Sequence, residues 1–415
     1  MKSTAIASAV VPIAHLASSS IIFCISLHCS RQYQRWLLLP LFLTSAVLSF
    51  ATADKLDFIT GLDSVWTVSV SLYIVHVFSL LHIEKWPAPQ LRAATVKGIQ
   101  DQKASWSIIL KETYRLWGNP RLLNLNRNQN QKTQEDSYTV FFLLRLLKLP
   151  AYWFLYTKVA PAIFKEAIFM IYSDDVGPEQ QILLRRMTEI STREIIIRSH
   201  TAVYWIFEAM VLLDSANAVL ACCFVAIGLD RPSDWPPLFG SPKAACGMRN
   251  FWAKFWHTLA VRPYARIAKT ITTWLSLPPD SSVHKSFVAF VIFGLSGLSH
   301  SAAKWQMGGQ DCWLETAWFM ANFAACAIES WTIASVRRLA KRVGWSAELE
   351  AMERSWVGWT LAYAWVFLFF FWSVPKAKYP EMYQQAKMIE DMARAQAQRA
   401  ALFEALFSAN VSVKL

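Results

Sequence analysis

The chain has 415 residues, of which 54% are hydrophobic and only 17% are charged, and its formal net charge is +12. A water-soluble core cannot bury so much apolar surface, so this composition excludes an ordinary soluble protein. The basic residues lie between apolar runs rather than in one solvated, aromatic-rich domain, which argues against a nucleic-acid partner.

Eight apolar runs follow one another along the chain. A bilayer core about 30 Å thick needs about 20 helical residues, and the runs that meet this length cover residues 5–29, 36–53, 64–81, 138–160, 201–229, 286–303, 312–336 and 356–374. They predict an all-α fold, a polytopic membrane helical bundle of about eight spans with interfacial amphipathic helices, in a single domain over residues 1–415. The fourth run is the weakest because Arg145 and Lys148 lie inside it, and residues 160–172 either continue it or form a separate re-entrant piece.

The basic residues between the runs predict the topology. Lysine and arginine concentrate in cytosolic loops, and they outnumber the acids in the linker 84–137. This predicts a cytosolic linker there, a second cytosolic segment over residues 230–285, and lumenal termini.

The first linker contains one predicted helix. Its apolar residues recur at helical spacing between charges, which is typical of a helix lying at the membrane surface: Trp106, Ile109, Leu110, Tyr114 and Trp117. Asn119 and Pro120 end this helix, and residues 124–136 are predicted to be a mobile cytosolic loop.

The second linker carries an aromatic and basic motif. Prolines over residues 232–242 delay helix formation, and the sequence RNFWAKFWHTLAV then predicts a helix over residues 249–261. On a helical wheel its aromatic residues share one face, and Asn250, Lys254 and His257 share the other. This helix is either a membrane anchor with a solvated histidine or a wall that turns its polar face toward a cavity.

His300 is the sharpest polar candidate within the spans, because it ends the small-residue sequence FGLSGLSH at residues 293–300. Small residues let helices pack closely, and an ionisable group in a span is a functional candidate by default. The structural alternative is a histidine bonded to a neighbouring carbonyl. The carboxylates Glu208, Asp214, Glu315 and Glu329 favour bonds between helices, and no histidine–carboxylate spacing indicates a metal site.

The pair formed by RNFWAKFWH and FGLSGLSH resembles the wax synthase-like branch of the membrane-bound O-acyltransferase superfamily, in particular the fungal members that acetylate terpenoid or meroterpenoid alcohols. The PPLFGSP sequence at residues 236–242 is also similar to that branch. Asn250 stands where the branch often has an acid, and Ala253 where a glycine is common.

The resemblance implies that the chain transfers an acyl group, by expectation acetyl from acetyl-CoA, to a hydroxyl of an apolar small molecule in fungal secondary metabolism. It implies His300 as the catalytic base, within the catalytic-histidine spans 286–374, and His257 as the group that orients the donor or stabilises the oxyanion. Acyl-CoA is then a co-substrate and not a bound cofactor, and the protein is a multi-pass protein of the endoplasmic reticulum. The candidate donor contacts are Arg249, Asn250, Lys254, Trp256, Arg262 and Arg266.

Two other classes of function stay open at this point. The polar residues in the fifth and seventh runs permit a transporter of a lipophilic metabolite, although paired half-repeats are not visible. A non-catalytic scaffold would leave both histidines dispensable. The acceptor alcohol, the acyl chain length and the oligomeric state are open as well.

Overall fold

The computed structural model describes residues 2–57, 61–88, 106–123, 137–167, 170–182 and 189–412. Within these ranges the regular structure is helical, and no strand occurs. The α-helices, numbered α1 to α14, are Lys2–His28, Gln32–Ala51, Leu62–Phe78, Trp106–Trp117, Tyr138–Phe154, Ala160–Ala167, Pro178–Gln181, Thr192–Ala226, Met248–Asn250, Val261–Trp274, Ser282–Gln306, Trp313–Val343, Ser346–Arg354 and Trp356–Ser412. The all-α prediction is confirmed.

Eight helices in the described chain are long and apolar enough to cross a membrane, as the sequence predicts. Their bounds are Ala7–His28, Gln32–Ala51, Leu62–Ile83, Tyr138–Ile163, Thr192–Ala226, Ser282–Gln306, Trp313–Val343 and Trp356–Phe403. Many of their leucines point outward, for example Leu37 at 71% exposure and Leu144 at 59%. Lipid tails would cover such side chains, so an apolar exterior is what an integral membrane protein requires.

The fourth span is one continuous helix. A π-helical turn at Leu155–Val159 joins α5 to α6, so the separate re-entrant piece considered from the sequence does not form over residues 160–167. Its two internal cations are both paired: Arg145 donates to the carbonyl oxygen of Trp235, and Lys148 Nζ lies 2.9 Å from Asp214 Oδ2. Charged side chains within spans pair in this way, with one another or with backbone carbonyls.

The contacts divide the chain into two compact units. The first unit contains residues 1–149 and 214–366, and the second contains residues 150–213 and 367–415. The prediction of a single domain over residues 1–415, with its linkers and catalytic spans, stays a prediction. The predicted topology and the predicted lumenal termini stay predictions too. The cytosolic loop predicted over residues 124–136 lies outside the described residues.

In the first unit, the linker helix α4 packs against the first three spans. Leu116 belongs to an apolar cluster with Phe23, Phe42 and Leu80. The predicted helix is therefore confirmed, and one of its faces is buried in protein. Other positions of α4 are open, since Trp106 is 74% exposed and Leu110 is 63% exposed.

The second unit has a small core of its own around Tyr379, which packs with Val176 and Ile197. The buried Arg198 guanidinium lies 2.8 Å from Glu194 and 5.6 Å from the centre of the Tyr379 ring. Desolvating a cation is expensive unless it is paired, so this carboxylate and this ring account for a buried arginine.

Helices α11 and α12 pack very closely at Gly297. A Cβ atom at Gly297 would lie 2.8 Å from Thr316 Cα and 3.0 Å from Phe319 Cβ, whereas one at Gly294 would meet nothing nearer than Met320 Sδ at 3.8 Å. The small residues of the FGLSGLSH sequence thus permit a close helix contact.

This difference gives a matched prediction. Gly297→Ala forces α11 and α12 apart and is expected to destabilise the protein by about 1–3 kcal/mol. Gly294→Ala is expected to raise stability slightly, because alanine has the higher helix propensity and its methyl group has room. Apparent melting temperatures in detergent, followed by tryptophan fluorescence, compare the two variants with the wild type. Equal melting temperatures for the two variants would contradict the close packing at Gly297.

Candidate active site

The segment that leads into the RNFWAKFWH motif is fixed at both ends. Asp230 Oδ2 accepts hydrogen bonds from Tyr114 Oη and from Trp235 Nε1, each at 2.9 Å. Further along, the amide of Gly240 donates to the carbonyl oxygen of Phe255 at 2.8 Å. A Cβ atom at Gly240 would lie 2.0 Å from the Lys254 carbonyl oxygen, so only glycine permits this approach.

Glu329 of α12 holds the start of the motif. Its carboxylate accepts the amides of Met248 at 2.6 Å and Arg249 at 3.2 Å, and the Trp365 indole N–H at 2.8 Å. These amides belong to the first turn of α9, where unpaired N–H groups attract negative charge. Gly247 precedes them with a φ of +90°, which favours glycine. The bond between helices predicted for Glu329 is confirmed by its contact with Trp365 of α14, and the same carboxylate also binds this loop.

The predicted helix over residues 249–261 is wrong beyond Phe255. After α9 the chain forms a π-helical turn, Phe251–Phe255, and Trp256 is extended with a ψ of 153°. The helix ends because the Phe255 carbonyl oxygen accepts the Gly240 amide instead of an amide further along the motif. His257 therefore lies in extended chain and not on a helix face.

The predicted polar face of Asn250, Lys254 and His257 is consequently wrong as well. Lys254 is exposed, and Asn250 Nδ2 donates to the Cys246 carbonyl oxygen at 2.9 Å. The aromatic side of the motif is buried in protein, with Phe251 at 2% and Phe255 at 5% exposure. The sequence left two alternatives for this segment, a membrane anchor and a wall of the protein interior. The buried aromatic side chains favour the wall.

Trp252 connects the two sequence motifs. Its indole N–H donates to Asn322 Oδ1 at 3.1 Å, and its ring lies 5.6 Å from Phe293 and 6.1 Å from Phe319 between centroids. Phe319 in turn stacks on His300, with centroids 5.0 Å apart and an interplanar angle of 21°. The RNFWAKFWH and FGLSGLSH motifs, separated along the chain, therefore meet in space.

His257 is half-buried and packs against two aromatic rings. Phe239 meets it edge-on at 5.8 Å, and Trp256 lies 5.5 Å away. Its Nδ1 atom is shielded from solvent and has no hydrogen-bond partner in the described part of the chain. Burial, followed by the charges of His300 and Arg121, lowers the pKa of His257 from 6.5 to about 4. His257 is thus a neutral imidazole at physiological pH.

The lowered pKa predicts a pH dependence of stability. Unfolded chains bind this proton below about pH 6.5 and the folded chain only below about pH 4, so His257 makes the fold lose stability as the pH falls through that window. We expect the apparent melting temperature of the wild type to fall more steeply between these pH values than that of His257→Gln. Parallel curves for the two proteins would refute the buried neutral state.

His300 lies in α11, about one turn before the buried residues Ala303 and Lys304 of that helix. It is half-buried, and its neighbour Ser299 shares a hydrogen bond of 2.7 Å with Tyr264 of α10. The structure thus supports His300 from two sides, by Phe319 of α12 and through the contact between α10 and α11. A half-buried imidazole can accept a proton from a bound hydroxyl.

The predicted donor contacts do not form one cluster. Arg262 Nη2 lies 2.6 Å from Glu84 Oε2, and Arg266 lies 3.9 Å from the same carboxylate. The Nη1 atom of Arg262 is shielded and has no partner among the described residues. Arg249 is exposed, as Lys254 is, and Trp256 is 8% exposed within the aromatic packing. Their binding roles stay predictions.

Arg121 is not among the site residues that the sequence predicts, yet its charge acts on His257. In the sequence it counts only as one of the cations that indicate a cytosolic linker. The adjacent Asn119 and Pro120 indicate a fixed turn, but nothing in the sequence indicates that this turn reaches the second motif.

Among the described residues, no group of three histidine, cysteine or acidic side chains could hold a metal ion.

Residues 235–321 match the membrane bound O-acyl transferase family, and this range contains both motifs. Among curated proteins, the chain is 38% identical over 107 residues to acetyltransferase atnC of Arthrinium sp, covering 26% of this chain and 25% of that protein. It is 30% identical over 204 residues to acetyltransferase aurG of Calcarisporium arbuscula, covering 48% and 46%. With acetyltransferase nanB of Aspergillus nanangensis it is 25% identical over 170 residues, covering 41% and 40%.

These matches span less than half the length of each of these relatives. No solved structure matches the chain. The resemblance predicted from the two motifs, to fungal acetyltransferases of the membrane-bound O-acyltransferase type, is confirmed within these ranges.

Proposed function

We propose that this protein is a membrane-embedded O-acetyltransferase that esterifies a hydroxyl group of an apolar small molecule, of the terpenoid or meroterpenoid class, with acetyl-CoA as the donor. The observation that carries the proposal is the aromatic packing that connects the two histidines: Trp256 beside His257 and Phe319 on His300 both pack against Trp252. The matched family range, which includes both histidines, and the acetyltransferase relatives support it. The multi-pass chain would reside in the endoplasmic reticulum.

The reaction needs one base and one group that stabilises the oxyanion. His300 removes the proton of the acceptor hydroxyl while the hydroxyl oxygen forms a bond to the thioester carbonyl carbon. The carbon–sulfur bond then breaks, and the departing thiolate takes the proton from His300, so the products are the ester and free CoA. His257, neutral and largely shielded from water, offers a ring N–H to the carbonyl oxygen as its negative charge develops.

The basic side chains near the site would serve the donor. Arg249, Lys254 and Arg266 are open to solvent, and Arg262 has one shielded, unpaired nitrogen. Arginine and lysine side chains suit the phosphates of CoA. The acceptor would enter from the bilayer, since an apolar alcohol partitions there.

Nothing in the described chain favours the transporter alternative. The four carboxylates in the fifth and seventh runs have partners: Asp214 contacts Lys148, Glu208 accepts a hydrogen bond from Tyr156, Glu329 accepts backbone amides, and Glu315 lies 4.0 Å from Lys304. Paired carboxylates of this kind suit structural bonds between segments.

Transfer of label from radioactive acetyl-CoA to an alcohol tests the proposal directly. Microsomes containing the protein are incubated with farnesol, ergosterol and a wider panel of terpenoid alcohols, and the extracted esters are counted against microsomes without the protein. Ester formation above that background is the expected result. If no alcohol is acetylated while vesicles with the protein accumulate one of them, the protein is a transporter.

A further inference from the structure

A cavity of about 470 Å³ opens on the surface of the first unit, where α13 meets α14. This volume lies within the range of small-ligand sites, about 300–1,000 Å³. Its lining consists of six residues around the start of α14: Arg354, Ser355, Trp356, Trp359, Thr360 and Tyr363. None of them belongs to the RNFWAKFWH or FGLSGLSH motif, so the proposed reaction leaves this cavity without a role.

The aromatic wall of the cavity is one face of α14. Trp356, Trp359 and Tyr363 recur at helical spacing, so their side chains project to the same side. The hydroxyl of Tyr363 shares its proton between the carbonyl oxygens of Pro242 at 3.2 Å and Lys243 at 3.0 Å. These bonds hold the tyrosine ring in place. The two indole rings stay accessible, since Trp356 is 79% and Trp359 is 44% exposed.

The start of α14 is fixed against the end of α13. A Cβ atom at Gly358 would lie 2.3 Å from the carbonyl oxygen of Met352. Ser355 Oγ donates to the same carbonyl oxygen at 2.7 Å, and Thr360 Oγ1 donates to that of Trp356 at 2.8 Å. The backbone therefore takes the protons of both hydroxyls, and a guanidinium and three aromatic rings are left for a ligand.

Arg354 supplies the charge of the cavity. Its Nη2 atom lies 3.3 Å from Glu350 Oε2, and the two side chains are 82% and 66% exposed. An exposed ion pair contributes little to stability, so a phosphate can take the place of Glu350 on the guanidinium. None of the six described lining residues is acidic. A cationic ligand group would therefore meet the aromatic rings, which attract cations through their faces.

The cavity lies at the level expected for lipid headgroups. Trp356 is the first residue of the last apolar helix, and the exposed cations Lys341 and Arg342 lie in the last turn of α12. Trp345, between them in the sequence, is 66% exposed. Tryptophan and basic residues gather where a span enters the headgroup region. A phospholipid headgroup is therefore an abundant ligand at this height.

We propose that this cavity binds the headgroup of phosphatidylcholine. The quaternary ammonium group lies against the faces of Trp356, Trp359 and Tyr363, and the phosphate accepts hydrogen bonds from Arg354. The acyl chains follow α14 past Leu361, which is 59% exposed. The inference is independent of the proposed function.

The choice of headgroup follows from the chemistry of the lining. Ethanolamine and serine headgroups carry a primary ammonium, whose three N–H groups need acceptors, whereas choline has no N–H group. Phosphatidylglycerol offers a phosphate to Arg354 but no cation to the rings. Of these headgroups, choline is the one that uses both the guanidinium and the aromatic wall.

Lipid retention followed by native mass spectrometry tests the assignment. The full chain is purified in a neutral detergent with equal amounts of phosphatidylcholine, phosphatidylethanolamine and phosphatidylglycerol of identical acyl chains, and bound lipids are identified by mass. We expect the wild type to retain one phosphatidylcholine in preference to the other two lipids. For Trp359→Leu the affinity for phosphatidylcholine should fall about 3–30-fold, and Trp359→Phe, which keeps an aromatic ring, should recover part of the loss.

Trp345→Leu and Arg338→Gln are the matched controls, since each changes an exposed residue of the same type outside the lining. Both should keep the wild-type preference. Equal retention of the three lipids by the wild type would overturn the proposal, as would equal affinities of Trp359→Leu and Trp359→Phe. Displacement of the bound lipid by CoA would also overturn it and would assign the cavity to the nucleotide of an acyl donor.

Discussion

His300→Ala is expected to lower ester formation by about 10²–10⁴-fold, the range that a general base contributes. The imidazole stacks on Phe319 and lies within electrostatic reach of His257, so its loss removes the proton acceptor and leaves the aromatic packing of Trp252 in place. The measurement is the initial rate of labelled ester formation with saturating acetyl-CoA. Near-normal KM for acetyl-CoA is expected, because the base contributes to the transition state and not to donor binding.

His284→Ala provides the control in the same helix. His284 lies in the first turn of α11, where its backbone amide donates to Ser281 Oγ, and the side chain lies far from His300 along the helix. We expect this variant to retain wild-type rates. Undiminished ester formation by His300→Ala, at equal protein level, would exclude His300 as the base.

Gly240→Ala is the second change with a large expected effect. Its methyl group would lie 2.0 Å from the carbonyl oxygen of Lys254 and 3.2 Å from Phe255 Cα, both backbone atoms that cannot turn aside. The loop must therefore shift, and the Gly240 amide loses its bond to Phe255. A displacement of about 1 Å at a catalytic group can cost about 10²-fold in rate, so we expect a loss of that order.

The eight spans of Gly240→Ala are expected to form as in the wild type, because the change affects a loop. Gly177→Ala is the matched variant, since its new Cβ atom would meet its nearest neighbours at 3.4 Å, an ordinary contact. Rates measured on equal amounts of purified protein separate activity from expression. Wild-type activity of Gly240→Ala would show that the loop is not held by this contact.

The spans could be predicted from the sequence because lipid imposes one simple rule. Every backbone polar group must be satisfied inside a span, so a span is a long apolar helix. The run 286–303 falls within α11, and the run 312–336 falls within α12 except for its first residue. The end of α4 could also be predicted from local residues. The helix ends at Trp117, directly before the Gly118–Asn119–Pro120 turn.

The course of the loop could not be predicted, because it depends on partners distant in sequence. The helical spacing of RNFWAKFWH is real, but the Phe255 carbonyl oxygen bonds to Gly240 and the helix stops before His257. The helical wheel therefore predicted that Lys254 lies beside His257, but in the structure the two side chains do not share a helix face. The packing of α4 on spans one and three escaped prediction for a related reason, because no local pattern records it.

The π turn Phe251–Phe255 sets a limit on how the motif can change in length. Such a turn holds one more residue than an α turn, and Trp256 and His257 leave it in a direction fixed by that extra residue. Deleting any one residue between Gly247 and His257 would restore α geometry and rotate the following side chains by about 100°. The number of residues between Gly247 and His257 is therefore as constrained as the identity of the histidine itself. Variant libraries of this protein should change residue identities in this segment and keep its length constant.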